Sequence, residues 1–79
     1  MFLFKVEERF MVTGLGLILI PGLGKTKAFI NDKIKIVRPD NSIIESAIKG
    51  VNLNGHISVG NELTKDDVPI GSQVWLNKE

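Results

Sequence analysis

The chain has 79 residues, of which 43% are hydrophobic and 24% charged, with a formal net charge of +1 and no cysteine. This length holds a single domain, residues 1–79, and this composition excludes wholesale disorder. Without cysteine there is neither a disulfide framework nor a thiolate metal site, which fits a cytoplasmic protein. The small net charge excludes a global attraction to nucleic acid or anionic membranes, so any such binding must be local.

The first 23 residues predict three short strands. Phe2, Phe4 and Val6 recur at every second position and predict a strand with one apolar face. Two further strands, 10–13 and 17–20, flank a Gly-Leu-Gly triplet that supplies a tight hairpin or a bulge, and a proline ends the second of them. The apolar stretch LGLILIPGL is about half as long as a membrane span. We interpret it as a buried strand and expect no association with membranes.

Residues 19–26 read LIPGLGKT and end like a phosphate-binding loop. Such a loop needs a glycine five residues before its second glycine, and a helix directly after it whose first amides hold the phosphates. Leu19 stands at the position of the first glycine, and the segment after Thr26 alternates as a strand does. We therefore interpret Gly22 and Gly24 as residues of a wide turn.

The middle of the chain predicts a hairpin in which the strands 33–37 and 43–49 flank the turn Pro39-Asp40-Asn41. Alternation places Lys33 and Lys35 on the same outer face, where lysines can contact RNA phosphates. Lysines on an outer strand also prevent edge-to-edge pairing, and no aromatic residue is interleaved with them for base stacking. An RNA contact and a solvated surface therefore both stay open. The complete basic cluster comprises Lys25, Lys27, Lys33, Lys35 and Arg38.

The last third predicts a turn at Asn54-Gly55, a short strand after it, and a final strand 73–76. Thr64 and the aspartate three residues later can cap a single helical turn near 64–68. Trp75 is out of phase with its apolar neighbours in the final strand. It is therefore either exposed as an interface residue or packed beneath residues 62–68.

Few side chains are suited to catalysis. His56 is the only histidine, so a catalytic triad or a histidine metal site would lack a second imidazole and any thiol. We expect a strand histidine half in solvent. Asp66 and Asp67 are adjacent and would diverge on a helical turn, so they are interpreted as charges at a helix start. We predict no enzyme activity, no metal site and no cofactor.

Six to eight short strands with glycine turns and no long helix predict an all-β fold, a small closed antiparallel barrel. The segments VEERFMVTGLGLILIPG, NDKIKIVRPDNSIIESAIKGV and NGHISVGNELTKDDVPIGSQVWL resemble, in order and spacing, the second domain of elongation factor Tu and related translational GTPases. The resemblance runs nearly end to end, although Leu15 stands where that family usually has Arg or Lys. The matching positions are Glu7, Glu8, Phe10, Gly14, Gly16, Asp32, Gly50, Asp67, Gly71 and Val74.

The resemblance implies a barrel of about six or more strands, without GTP hydrolysis. In elongation factor Tu this barrel helps to hold the aminoacyl end of tRNA near its acidic-Phe strand. By resemblance, Glu7, Glu8 and Phe10 would seat an adenosine end. The alternative is that both glutamates are solvated strand charges and that Phe10 belongs to the core.

We expect a non-catalytic binding module, a stand-alone translation-factor-like barrel that binds a protein partner, or RNA through the Lys25–Arg38 hairpin. The alternative is a protein-interaction partner outside translation, such as an inhibitor, an immunity-type protein or an assembly subunit. The sequence identifies neither the partner nor the oligomeric state. The candidate partner-binding residues are Glu7, Glu8, Phe10, Lys25, Lys27, Lys33, Lys35, Arg38 and Trp75.

Overall fold

The computed structural model describes residues 1–23, 28–60 and 62–77, which contain eight short strands and no helix. The predicted all-β class is confirmed, and every predicted strand is present. At the predicted turn near 64–68, the Asp67 N–H donates to the Thr64 carbonyl at 3.0 Å, which closes a turn. The strands are β1 (Phe2–Lys5), β2 (Glu8–Val12), β3 (Gly16–Ile20), β4 (Lys33–Val37), β5 (Ile43–Ala47), β6 (Gly50–Val51), β7 (Ile57–Ser58) and β8 (Gln73–Leu76).

The strands form two four-stranded antiparallel sheets. Sheet A has the order β1-β8-β4-β5, and sheet B has the order β2-β3-β7-β6. The edge strands β1 and β5 of sheet A each run, after two residues, into the edge strands β2 and β6 of sheet B. At the first bend the Val6 N–H donates to the Ser72 carbonyl, and at the second the Lys49 N–H donates to the Ser58 carbonyl, both at 2.8 Å. The chain therefore passes from one sheet to the other at both pairs of edge strands.

The core is formed by the inward side chains of both sheets and of their connections. In β4 the alternation is clear, because Ile34 and Ile36 are fully buried whereas Lys33 is exposed and Lys35 half-buried. Full burial of one such side chain contributes about 1.5–3 kcal/mol. The buried apolar residues are Leu3, Phe4, Val6, Leu17, Leu19, Leu23, Ile34, Ile36, Ile48, Ile57, Val59, Val68, Val74 and Leu76.

Two phenylalanines lie outside this core, contrary to prediction. Phe2 is 44% exposed, because the register of β1 shifts between Phe2 and Phe4 and buries the two residues that follow Phe2. Phe10 is 50% exposed. It pairs with Ile18, which faces outward between two buried leucines. The prediction that Phe10 belongs to the core is therefore wrong, because the hairpin register places it on the outer face of sheet B.

The turn between β2 and β3 brings two backbone segments into close approach. Gly16 has a φ of +90°, and a Cβ atom built there would lie 2.2 Å from the carbonyl carbon and oxygen of Gly60. The N–H of Leu17 donates to that same Gly60 carbonyl at 3.0 Å. Only glycine fits at residue 16, since a side chain would displace the Gly60 backbone.

Within residues 1–23, 28–60 and 62–77, no helix is long and apolar enough to cross a membrane. The last three residues of the stretch LIPGLGKT, which resembles a phosphate-binding loop, lie outside the described residues. Gly24, Lys25 and Thr26 belong to residues 24–27, which are not among the described residues. The interpretation of Gly24 as a turn residue stays a prediction.

Candidate functional site

The acidic-Phe segment lies at the start of sheet B. Glu8 and Phe10 share the outer face of β2, and Glu7 lies in the bend before that strand. Both glutamates are exposed, and the Glu8 carboxylate accepts a hydrogen bond from the Arg9 N–H at 2.9 Å. Glu7 and Glu8 are thus surface charges. Glu8 and Phe10 form a common surface on which the phenyl ring is the main apolar group.

The structure describes only part of the predicted basic cluster. Lys33 and Lys35 lie on the outer face of β4, as the alternation predicts. Lys25 and Lys27 belong to the residues that the structure does not describe. The predicted cluster therefore contributes two described lysines to one surface.

Arg38 is held in the turn between β4 and β5. Its backbone N–H donates to the Ser42 carbonyl at 2.8 Å, and its Nε donates to the Ser42 hydroxyl at 2.7 Å. The hydrogen bond that the Ser42 hydroxyl donates to Asp40 lowers the pKa of that carboxyl, and the Ser42 backbone N–H lowers it further. These contacts give Arg38 a structural role in the turn.

Trp75 lies on the outer face of sheet A. It is half-buried between the buried Val74 and Leu76, and its ring meets that of Phe2 edge to face, with 5.2 Å between the ring centroids. Its Nε1 donates to the Gln73 side chain at 3.1 Å. Trp75 therefore faces outward and is not packed beneath residues 62–68, and its role as an interface residue stays a prediction.

The remaining titratable candidates serve local structure. The Asp67 carboxylate accepts hydrogen bonds from the Thr64 backbone N–H at 2.8 Å and from its hydroxyl at 3.1 Å, and these two bonds lower the pKa of Asp67. His56 is half-buried, as expected, and lies beside the Asn52 amide. In the described part of the chain, no group of three or more histidine, aspartate or glutamate side chains is placed to hold a metal ion.

The surface best suited to a ligand is the outer face of sheet B. One cross-strand row traverses all four strands there, because Phe10 pairs with Ile18, Ile18 with Ser58, and Ser58 with Gly50. We call this set of four residues the sheet B row. Its Phe10 end is an exposed aromatic ring, and its Gly50 end has no side chain. The side chains of the row therefore become smaller from Phe10 to Gly50, which leaves a depression at the Gly50 end.

A groove of about 170 Å³ occupies this depression. The small residues make the space, since Gly50 lacks a Cβ and one built there would lie 2.9 Å from the Ser58 hydroxyl oxygen. None of the residues that line the groove carries a formal charge with His56 neutral. They are Leu15, Ile18, Gly50, Val51, Asn52, His56 and Ser58.

Sequence reasoning missed this groove, although β3 carried a signal for it. That strand reads GLILI and is apolar at nearly every position. Leu17 and Leu19 face the core, and Ile18 and Ile20 face outward and are half-buried. An antiparallel strand with one solvated face normally alternates apolar with polar residues. Apolar residues on both faces of β3 depart from that alternation and indicate an apolar outer face.

No protein-family model, no curated protein sequence and no solved structure matches this chain.

Proposed function

We propose that this chain is a non-catalytic binding module of the cytoplasm, a six-stranded β-barrel of the translation-factor type. It docks a protein partner on the outer face of sheet B. The observation that carries this proposal is the sheet B row with its uncharged apolar groove.

The connections between the sheets support a closed barrel. If β1 with β2 is one bent strand, and β5 with β6 another, the strand order closes on itself with six strands. Strands that pass from one sheet to another through a bend are the usual corners of such barrels. A closed barrel would also leave no free edge at the two-residue strand β6, since closure removes free sheet edges.

The groove suits one side chain of a protein better than a small molecule. Pockets for small-molecule ligands are typically about 300–1,000 Å³, and this groove holds about 170 Å³. Protein interfaces centre on a few aromatic or aliphatic anchors that fill such pockets and exclude water. The lining contains no lysine or arginine to pair with phosphates. The occupant is therefore an aliphatic or aromatic side chain of a protein partner, with Phe10 packing beside it.

The second candidate function is binding of a partner outside translation, and Leu15 is the residue that favours it. It lies at the rim of the groove, 57% exposed, where the translational GTPases usually carry Arg or Lys. A leucine cannot contact the phosphates of ribosomal or transfer RNA, whereas it extends the apolar surface. An inhibitor, an immunity-type protein or an assembly subunit would use such a surface.

Site-specific photo-crosslinking in cells tests the docking face. A photoreactive residue at position 15 should crosslink one protein, and the same residue at position 43 should not. Ile43 is the matched control, since it is equally exposed but lies on β5 in sheet A. The crosslinked protein is then purified and titrated calorimetrically against the wild type and the variants.

We expect Ile18→Lys to weaken binding by about 2 kcal/mol or more, as for a central interface residue. Ile43→Lys should leave the affinity unchanged. Leu15→Glu provides a second test, because an exposed turn residue can be replaced without disturbing the core. The proposal fails if the purified partner binds Ile18→Lys and Leu15→Glu, with native circular dichroism, as tightly as the wild type. Identification of a translation component or of another protein decides between the two settings.

A further inference from the structure

A second cross-strand row traverses the outer face of sheet A. Phe2 pairs with Trp75, Trp75 with Lys35, and Lys35 with Glu45, so the row crosses all four strands. The row puts Trp75 directly beside a lysine of the central strand β4, with Phe2 on the other side of the indole. These residues come from both ends and the middle of the chain, and only the sheet order brings them together.

Two more lysines flank the aromatic pair. Lys5 pairs with Gln73, two residues from Trp75 on β8, and Lys33 lies two residues from Lys35 on β4. Residues two apart on a strand share a face and are separated by about 6.7 Å. The three lysines against Glu45 give this face a formal charge of +2, although the whole chain carries only +1. Positive charge is therefore concentrated around the rings.

The rings themselves are held in place. Trp75 is anchored by its neighbours in β8, which are buried, and by the hydrogen bond from Nε1 to Gln73. Phe2 packs edge to face against it and remains 44% exposed. A positioned, partly exposed aromatic pair loses little conformational entropy when a flat ligand stacks on it. Bases of nucleic acids are such ligands.

We propose that this face, consisting of Phe2, Trp75, Lys5, Lys33 and Lys35, binds single-stranded nucleic acid. Stacking of bases on aromatic side chains, together with lysines that follow the phosphates, is the general chemistry of single-strand recognition. A protein partner fits this face less well, because lysine is depleted from protein interfaces. The site is on the sheet opposite the groove, so it stands independently of the protein partner proposed above.

Trp75 is the only tryptophan and reports directly on its own site. Titration of the purified protein with single-stranded oligonucleotides of about ten nucleotides, as RNA and as DNA of the same sequence, should quench its fluorescence saturably. No group of the face is specific for the ribose 2′-hydroxyl, so we expect both to bind. A duplex of the same sequence should bind more weakly, since its bases are not available for stacking.

Salt dependence supplies a quantitative test. Three lysines that neutralise three phosphates of a single strand predict a slope of about −2 for log K against log salt concentration. Affinity should then fall about 20-fold when salt rises from about 50 to about 200 mM. Lys35→Ala should reduce the slope by about 0.7. Lys65→Ala removes the same charge from an exposed turn outside the face, and should leave the affinity nearly unchanged.

The aromatic contribution is measured by anisotropy of a labelled oligonucleotide. Phe2→Ala and Trp75→Ala should each weaken binding about 5- to 150-fold, and Trp75→Phe should restore part of the loss. Absence of quenching and of anisotropy change at about 50 mM salt would refute the proposal. Equal effects of Lys35→Ala and Lys65→Ala would refute it as well, because binding would then follow net charge and not this face.

Discussion

Replacement of Gly16 by alanine, compared with the same replacement at Gly14, tests the close approach between the β2–β3 turn and Gly60. Both glycines have positive φ, +86° at Gly14 and +90° at Gly16, so alanine meets a similar backbone cost at the two positions. Their surroundings differ. A Cβ at Gly14 meets nothing within 4 Å, whereas one at Gly16 lies 2.2 Å from the Gly60 backbone.

The difference can be estimated from the geometry. A left-handed backbone costs an L-residue about 1–2 kcal/mol, and alanine regains about 0.4–1 kcal/mol by restricting the unfolded chain. Gly14→Ala should therefore lower the free energy of unfolding by about 1 kcal/mol. Gly16→Ala also forces Gly60 to retreat by about 1.2 Å to reach ordinary contact. That shift breaks the hydrogen bond from the Leu17 N–H to the Gly60 carbonyl and strains the backbone next to Gly60. We expect these two effects to lower the free energy of unfolding by about 2–3 kcal/mol more.

Urea unfolding, followed by Trp75 fluorescence and by circular dichroism, measures both variants. A domain of 79 residues has about 4–12 kcal/mol of stability, so Gly16→Ala should remove a large part of it and Gly14→Ala a small part. Because the slope of free energy against urea should stay constant, the shift in midpoint reports the loss directly. Equal losses for the two variants would refute the reasoning, since only the contact with Gly60 distinguishes them.

Two further predictions concern the core and the response to acid. Ile36→Ala should destabilise the fold by about 2–5 kcal/mol in urea unfolding, because the residue is fully buried, whereas Ile43→Ala, 57% exposed, should change stability by less than about 1 kcal/mol. Hydrogen bonds from Thr64 lower the pKa of Asp67 in the folded state. The charged carboxylate therefore stabilises the fold fully at pH values above the ordinary aspartate pKa of about 3.9. This stabilisation is lost as the pH falls through the lowered pKa of the folded state. The melting temperature of the wild type should therefore exceed that of Asp67→Asn at neutral pH and approach it in acid; a constant difference would contradict this assignment.

Local chemistry made the strands predictable from the sequence. The β4–β5 hairpin has the predicted turn, in which Asn41 adopts a φ of +72° and the Asp40 carboxylate accepts a hydrogen bond from the Ser42 N–H at 2.9 Å. The alternation of β4 assigned the outward lysines correctly, because no bulge interrupts its pairing with β5. These features depend on residues within a few positions of one another.

The register of the strands could not be predicted. Phe2 and Phe10 were placed on the wrong faces because a bulge in β1 and the pairing of β2 with β3 decide which side chain faces inward. For the same reason the basic hairpin seemed to lack aromatic partners. Trp75 and Phe2 are far from Lys35 in the chain, and β8 and β1 bring them alongside it only when the sheet forms.

The outer faces of sheet A and sheet B differ in chemical character, although both belong to one small domain. On sheet A the outward residues of β4 and β8 combine lysines with an indole, whereas on sheet B those of β3 and β7 are apolar or small and uncharged. A core of buried apolar residues separates the two faces, so replacing an outward residue on one sheet should leave the other sheet's packing intact. The two proposed ligands, which differ in chemical class, therefore fall on different sheets of one small all-β domain, and substitutions of outward residues should affect one ligand at a time.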